Sequence, residues 1–290
     1  MSSSASARAV AALPAWQRAA PFLLAAPLLA YMLVFYALPV VAMLLRSVTE
    51  PHLTLANYAA LAGDTVFWKT FSNTLDTAIV VTIGALLLGY PVALALVRAR
   101  RMAPLIMIVV LLPFWTSILV RSYAWMVLLG RHGLINEALL ALGLIDHPVR
   151  LLNTSLAVQI GMIHILLPYM ILPIANALRQ IDPSLARAAS GLGATPWRTF
   201  WQVTLPLSMP GMAAGVLLVF VLSLGFYITP ALLGGPRDVT LPMLIALQVD
   251  QLHWEYAACL SAVLLATALV IIGVFHRLPG IGNAFRMSAR

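Results

Sequence analysis

Charge is scarce in this chain. Of its 290 residues only 9% are Asp, Glu, Lys or Arg, while 62% are hydrophobic. A soluble domain carries about 25% charged residues and about 45–50% apolar ones. Surface-to-volume scaling limits how much apolar surface a folded chain can hide from water. A water-soluble globule is therefore excluded, and the solvent that fits is a bilayer. Cysteine is nearly absent: Cys259 stands alone inside an apolar run. That rules out an internal disulfide and a cysteine-based zinc site, and it leaves the redox compartment open. Lysine is represented by Lys69 only, with no glycine-rich loop before it. A phosphate loop needs Gly-x-x-x-x-Gly-Lys-[Ser/Thr], whose lysine reaches the β- and γ-phosphates. This chain therefore is not an ATPase. The Gly191-x-Gly193 pair lacks the third glycine and the preceding strand of a dinucleotide fingerprint. No cluster of His, Asp or Glu suggests a catalytic constellation or a metal site, so no catalytic residue and no metal ligand is assigned.

Long apolar runs are what the chain has instead. A membrane-spanning helix needs about 20 mostly apolar residues. Six stretches qualify: 20–45, 71–97, 105–129, 152–178, 209–232 and 256–275. The first is too long for the core of a signal peptide, and no small-residue cleavage site follows it, so it reads as an uncleaved anchor. The Ser/Ala-rich start, 1–12, reads as disordered. The expected organisation is an all-helical membrane protein in four parts. These are a cytoplasmic tail over 1–19, a first transmembrane helix and periplasmic loop over 20–70, a five-helix core over 71–277, and a cytoplasmic tail over 278–290.

The distribution of charge sets the orientation. With the N-terminus inside, eleven arginines face the cytoplasm: Arg8, Arg18, Arg98, Arg100, Arg101, Arg179, Arg187, Arg198, Arg277, Arg286 and Arg290. One acid, Asp182, stands against them, a net of +10. The other side holds Arg46, Lys69, Arg121, Arg131, Arg150 and Arg237 against eight acids, a net of −2. The Lys/Arg bias of eleven to six places both termini in the cytoplasm. The formal charge of +8 is thus a topology signal and a contact for anionic headgroups. A nucleic-acid footprint would instead cluster on one water-facing surface.

Two segments outside the spans stand out. In the outside stretch 131–150, Leu134, Ile135, Leu139, Leu140 and Leu142 recur at roughly helical spacing and predict a short amphipathic helix. The inside stretch 179–208 is far longer than most connections, and long loops tend to be functional. In it, Asp182 can accept from the first free amides of a helix and Pro183 suits the first helical position. Leu185, Ala188, Ala189 and Leu192 form an apolar stripe. Gly193 fits the left-handed residue at a helix C-terminus. Thr195-Pro196 restarts a helix through Trp197, Phe200 and Val203, and Leu205-Pro206 is expected to end it just before the fifth span. The prediction is two short helices joined by a glycine turn. Periodicity alone is also met by an ordinary interfacial helix.

The run Asp182-Pro183-Ser184-Leu185-Ala186-Arg187-Ala188-Ala189-Ser190-Gly191-Leu192-Gly193-Ala194, continuing to Leu205-Pro206, resembles the EAA loop. That loop is the signature of permeases in binding-protein-dependent ABC importers. The resemblance implies the type I importer permease fold, with six transmembrane helices. It also implies a coupling helix here that docks in a cleft of the ATPase subunit, carried by Asp182, Arg187, Ala188, Ala189 and Gly193. The motif usually begins with glutamate, and this chain has Arg187 there. Arginine offers donors and a positive charge in place of an acceptor. Either the ATPase compensates, or docking relies on the small-residue face and the Gly193 turn. Further runs resemble the spermidine/putrescine-type branch: 113–117 with 121–125, 133–136, 167–170, and 225–230 with 233–236.

Ionisable groups inside a membrane are costly and by default functional candidates. Asp76 and Arg121 both fall toward the outer ends of their predicted spans. They can pair with each other, or Arg121 can snorkel to the headgroups, or Asp76 can line a cavity and attract a cation. A polyamine suits one carboxylate plus aromatic faces. Trp115, Tyr123, Trp125, Tyr169, Phe226 and Tyr227 can supply such faces, or can equally be packing and interfacial belts. His164, mid-span, reads as a partner across helices. Pro168, Pro173 and Pro230 are expected to kink spans four and five. Asp250, His253 and Glu255 read as a solvated rim, with a docking face for a periplasmic binding protein as the alternative.

The expectation is the transmembrane permease subunit of an ATP-driven importer in a bacterial inner membrane, carrying a polyamine such as spermidine or putrescine. The alternative within the class is another small solute: amino-acid-like, opine or cation. Expected partners are a second permease, homologous or identical, two ATP-binding subunits and a periplasmic solute-binding protein. ATP and magnesium would sit on the ATPases, with no cofactor on this chain. A secondary transporter would need its own ion-coupling carboxylates and often inverted repeats. Asp76 is the only mid-span acid, and no repeat is visible. A membrane-embedded enzyme would need a constellation that is not present.

Overall fold

The structure, a computed structural model, describes residues 15–49, 55–99 and 101–277. The Ser/Ala-rich start, the tail from 278, and Arg8, Glu50, Arg100, Arg286 and Arg290 lie outside the described residues. Every regular element among the described residues is helical. In chain order, α1 (Ala15–Met32) passes through a π-helical turn (Leu33–Ala37) into α2 (Leu38–Thr49). A short α3 (Ala56–Gly63) precedes the long α4 (Thr65–Arg98). There follow α5 (Ala103–Leu111), a 3-10 turn (Leu112–Trp115), α6 (Ile118–Leu128), α7 (Leu134–Ala141) and α8 (Ser155–Gln180). Next come α9 (Pro183–Gly191), α10 (Pro196–Thr199), a second π-helical turn (Phe200–Thr204) and α11 (Leu205–Leu224). The chain closes with α12 (Ile228–Leu233), α13 (Leu241–Asp250) and α14 (Trp254–Arg277).

Five helices are individually long and apolar enough to cross a bilayer, and a sixth candidate is the pair Ala103–Trp115 and Ile118–Leu128, bent by 103°. The core is the three-helix contact of α4, α8 and α11. Val81, Ala85, Ala93, Met162, Met170, Ile174 and Val219 are buried there completely. In lipid, small residues let helices approach closely. At Gly211 on α11 an added Cβ would lie 2.5 Å from the Pro173 carbonyl oxygen and would run into Ala177 Cβ on α8. A second, smaller cluster joins α3, α4, α13 and α14 through Leu61, Phe67, Leu241, Leu244 and Leu260. Cys259 is buried beside it, with its thiol aimed at the Ser47 carbonyl of α2. Many large apolar side chains point outward, among them Leu28, Phe35, Leu87, Val109, Val120 and Val270. A bilayer solvates such a surface and water does not.

The structure corrects three expectations. The third span is not one helix over 105–129. It stops at Trp115 and restarts at Ile118. Pro113 lacks the amide that would continue the α ladder, so the end tightens to 3-10. Thr116 and Ser117 are then extended. The short second helix does not end at Leu205-Pro206. Residues 196–224 form one continuous helix, because the π turn, in which the Leu205 amide reaches back to the Phe200 carbonyl, carries the chain past Pro206. At its far end this helix stops at Leu224, well short of 232. A helix continued through 225–227 would set the Pro230 ring against the residue 226 carbonyl. By contrast, α8 passes through both Pro168 and Pro173 as one helix.

Candidate functional site

The 179–208 segment runs from the last turn of α8 through α9 and α10 into the first turn of α11. Both ends of α9 are chemically closed. Asp182 is extended and its carboxylate accepts from the Ser184 amide at 2.8 Å. That amide, then the Ser184 hydroxyl, and less strongly the charge of Arg187, hold the Asp182 carboxyl below its ordinary value. At the other end the Gly193 amide donates to Ser190 O and the Ala194 amide to Ala189 O, both at 3.0 Å. This double closure is the Schellman arrangement, and it requires a left-handed residue, supplied by Gly193 at φ +81°. Thr195 then caps the next helix, its Oγ1 accepting from the Arg198 amide at 3.3 Å.

The predicted apolar stripe exists and is left uncovered by this chain. Leu192 is 90% exposed, Leu185 45% and Trp197 70%. Arg187 and Ala188 are exposed too, and Ala189 is half-buried. Because residues 196–224 are one helix, α9 is joined to the core of the bundle through one short, capped turn. Tyr90 of α4 meets this helix at the first residue of its π turn and again one turn beyond it. Its ring packs edge-on to Phe200 at 5.8 Å, and its hydroxyl lies 2.8 Å from Ser208 Oγ. The Thr199 hydroxyl, at the start of the turn, is buried without a hydrogen-bond partner.

Of the path candidates, the structure brings Arg121 and Tyr169 together. With Phe114, Thr116, Ile118, Ile165 and Pro168 they line a cavity of about 190 Å3 at the break in the third span. The Phe114 and Tyr169 rings are 5.0 Å apart. Arg121 Nε is buried without a hydrogen-bond partner. Asp76 stands exposed on α4 and forms no ion pair with Arg121, so the mutual pair is not what holds either group. Trp115 points away from the cavity and is 80% exposed. Phe226 and Tyr227 occupy the second interruption, 225–227. Phe226 packs on the core and Tyr227 is exposed. The limbs beyond the two breaks, α6 and α12, are joined through Ser122 Oγ and Thr229 Oγ1 at 3.0 Å, both buried. His164 bonds across helices as expected, accepting at Nδ1 from the Trp125 indole N–H at 3.2 Å.

Other polar residues organise the end opposite α9. The predicted surface helix is present as α7. Its Asn136 is fully buried, donates to the carbonyls of Gly130 and Val149, and accepts from the Val149 amide. Asn73 of α4 donates to the carbonyls of Arg237 and Val239, and Thr74 accepts from the Leu241 amide at the start of α13. Asp238 accepts from the Ser155 hydroxyl and from the Gly235 amide. His253 lies 3.0 Å from the Gln248 amide oxygen on the rim. No group of three or more His, Cys, Asp or Glu able to hold a metal occurs among the described residues.

Residues 85–277 match the family model of the binding-protein-dependent transport system inner membrane component. The chain is 35% identical over 226 residues to the spermidine/putrescine transport system permease protein PotB of Escherichia coli K12, covering 77% of this chain and 82% of that protein. It is 35% identical over 245 residues to the PotB protein of Haemophilus influenzae, covering 84% and 81%. Among solved structures it resembles a chain of a bacterial alginate ABC transporter in complex with an alginate pentasaccharide-bound periplasmic protein. The TM-score is 0.75 at 20% identity, over 90% of this chain and 96% of that one.

Proposed function

This chain belongs to the binding-protein-dependent transport system inner membrane component family, and from its 35% identity to the spermidine/putrescine permeases we propose that it carries a polyamine, spermidine or putrescine, through a bacterial inner membrane at the expense of ATP bound elsewhere. It is a multi-pass permease subunit and not an enzyme. The family implies an ATPase and a periplasmic binding protein as partners. The observation that carries the mechanistic reading is the exposed, doubly capped helix α9 joined by one short turn to the helix 196–224.

Both termini face the cytoplasm, as the arginine distribution favours. Two permeases, identical or homologous, enclose the path, and each presents its α9 to one of two ATPases. ATP and magnesium reside on those ATPases, with no cofactor on this chain. Asp182, Arg187, Ala188, Ala189 and Gly193 form the docking segment. ATP binding favours the closed ATPase pair, which carries the α9 helices with it. The permeases then pass from inward-facing to outward-facing, a shift toward the state the nucleotide prefers. Asp76, Tyr169 and Tyr227 face the path, where a carboxylate and aromatic faces attract an organic dication, while Trp115 stands exposed and Phe226 packs on the core. Arg121, which shares a cavity with Tyr169, sets the charge balance there.

One observation favours a second reading within the class. Arg121, its Nε unpartnered in the cavity, suits a solute that brings a carboxylate. The experiment is uptake of labelled spermidine, putrescine and an amino acid into proteoliposomes holding the full complex. Deleting 187–193 should abolish both ATPase co-purification and uptake. Retained ATPase binding would overturn the coupling assignment, and uptake of the amino acid alone would overturn the polyamine assignment.

A further inference from the structure

The surface helix α7 is apolar on its outward side, and the transport reading gives that side no role. Asn136 is fully buried, so its side of the helix faces the protein. The opposite side carries Leu134, Ala138 and Ala141, all exposed, and Leu142 and Leu144 follow at 72% and 67% exposure. Glu137 is the only charge on α7 and stands at the flank of that face. A contiguous apolar face of this kind marks a contact surface. Beside it, Leu129, Leu151, Leu152, Asn153, Arg131 and Arg150 line a cavity of about 330 Å3. The lining combines apolar side chains with two guanidinium groups and contains no carboxylate. Both arginines are exposed, with no ion-pair partner among the described residues. The adjoining cavity shares Arg150 but holds the Asp238 carboxylate, which favours the Arg131 side for an anion.

One side chain positions both arginines. Asn136 donates to the carbonyls of Gly130 and Val149, each at 3.0 Å, and accepts from the Val149 amide. Gly130 and Val149 directly precede Arg131 and Arg150. The depth of the pair follows from α8. Its 26 residues span about 39 Å at 1.5 Å per residue. The hydrocarbon core of a bilayer is about 30 Å thick, and about 40–45 Å with its headgroups. The ends of α8 therefore reach into the headgroup layers, and Asn153 stands two residues before its first residue. A guanidinium group forks onto a phosphate through two parallel hydrogen bonds. A zwitterionic headgroup would bring its own cation against the second arginine. A headgroup whose only charge is its phosphate brings none. Amphipathic helices in this layer bury their apolar face at the acyl boundary, and the exposed leucines of α7 and its C-terminal turn suit that place.

We propose that α7 lies in the membrane interface at the end opposite α9, and that Arg131 and Arg150 hold the phosphate of an anionic phospholipid whose acyl chains run over Leu134 and Leu142. The full permease–ATPase complex in detergent micelles is titrated with dioctanoyl phosphatidylglycerol, dioctanoyl phosphatidylcholine and inorganic phosphate. Wild type should bind phosphatidylglycerol at least tenfold more tightly than phosphatidylcholine. Arg131→Gln/Arg150→Gln should erase that preference. Arg131→Lys/Arg150→Lys should keep part of it, because the charge stays and the fork is lost. Normal assembly of each variant with the ATPases shows that it has folded. A spin label on Leu142→Cys, in a Cys259→Ala background and phosphatidylglycerol nanodiscs, should be shielded from a water-soluble nickel relaxant and open to oxygen. Equal affinity of wild type for the two lipids overturns the proposal, as does an unchanged preference in the Gln variant. Displacement of the lipid by equimolar inorganic phosphate assigns the cavity to a free anion and overturns it too. A label at 142 open to nickel leaves α7 in water, and one shielded only after a binding protein is added assigns this face to a protein. Either result overturns the interfacial placement.

Discussion

The Tyr90 and Ser208 hydroxyls lie 2.8 Å apart in the buried seam between α4 and α11, one turn beyond the π turn at Phe200–Thr204. Ser208 also donates to the Leu205 carbonyl at 2.9 Å, so removing the Tyr90 hydroxyl leaves no orphaned group on α11. Tyr90→Phe should therefore cost only about 0.6–1 kcal/mol of stability, a small fall in thermal midpoint in detergent. Its larger effect should be functional. The helix that carries α9 loses a polar tie to the core where its register changes, and ATP hydrolysed per solute imported should rise. A coupling ratio identical to wild type would reduce Tyr90 to packing.

Gly193 and Gly191 make a matched pair. Both have open space where a Cβ would go, and only Gly193 has a positive φ, at +81°. Gly193→Ala should cost about 1–2 kcal/mol of local strain, enough to open the Schellman turn and swing α9 away from Thr195. Gly191→Ala should be neutral, since alanine is the better helix former. The expected result is weakened ATPase co-purification for Gly193→Ala and unchanged co-purification for Gly191→Ala. Equal behaviour of the two variants would remove the turn from the coupling argument.

The caps and the turn of the coupling segment were legible in sequence because they obey local rules: Asp182 before Pro183, Gly193 at a helix end, Thr195 before Pro196. The number of crossings was legible from hydropathy. The two interruptions were not. Leu112-Pro113-Phe114-Trp115 lies in an unbroken apolar run, and hydropathy does not register a bend that leaves composition unchanged. Pro206 looks like a stop, and only the π turn before it shows why the helix continues. The ten-residue α13 is too short to count as a span. Asn136 and Asp238 hold loops together across the chain, which no local pattern encodes. Asp76 and Arg121 share a depth in the sequence, yet they sit on separate elements and do not pair.

Asp64 ties two elements. It caps α4 by accepting from the Val66 amide at 2.8 Å, and its other oxygen accepts from the Tyr256 hydroxyl of α14. The Tyr256 hydroxyl first, then the Val66 amide, hold the Asp64 carboxyl below its ordinary value. A carboxylate whose folded value is depressed stabilises fully above its unfolded value, about 3.9, and loses that contribution as pH falls through the folded value. Wild type should therefore lose thermal stability below about pH 4 relative to its value at pH 7. Asp64→Asn should be less stable at pH 7 and show a flatter profile through that acid window. Parallel profiles for the two proteins would assign the acid loss to other carboxylates.

Asp76 and Arg121 separate the two substrate readings, because they respond oppositely. A charge pair about 5 Å apart in an effective dielectric of about 20 interacts by about 3 kcal/mol. Asp76 is exposed in this subunit, so water screens part of that. For a polyamine, Asp76→Asn should raise the transport KM about tenfold with little change in kcat, because an attraction present in ground and transition states alike is lost. Arg121→Gln removes a repelling charge from the cavity it shares with Tyr169, so it should leave polyamine uptake intact or lower its KM. For a solute that brings a carboxylate the order reverses. Arg121→Gln should then abolish uptake, and Asp76→Asn should be silent. Initial rates of uptake in proteoliposomes decide between the readings, with assembly of the full complex as the check on folding. If neither substitution changes KM for any solute tested, both residues leave the path. The specificity of this permease then rests on its aromatic faces and on the binding protein.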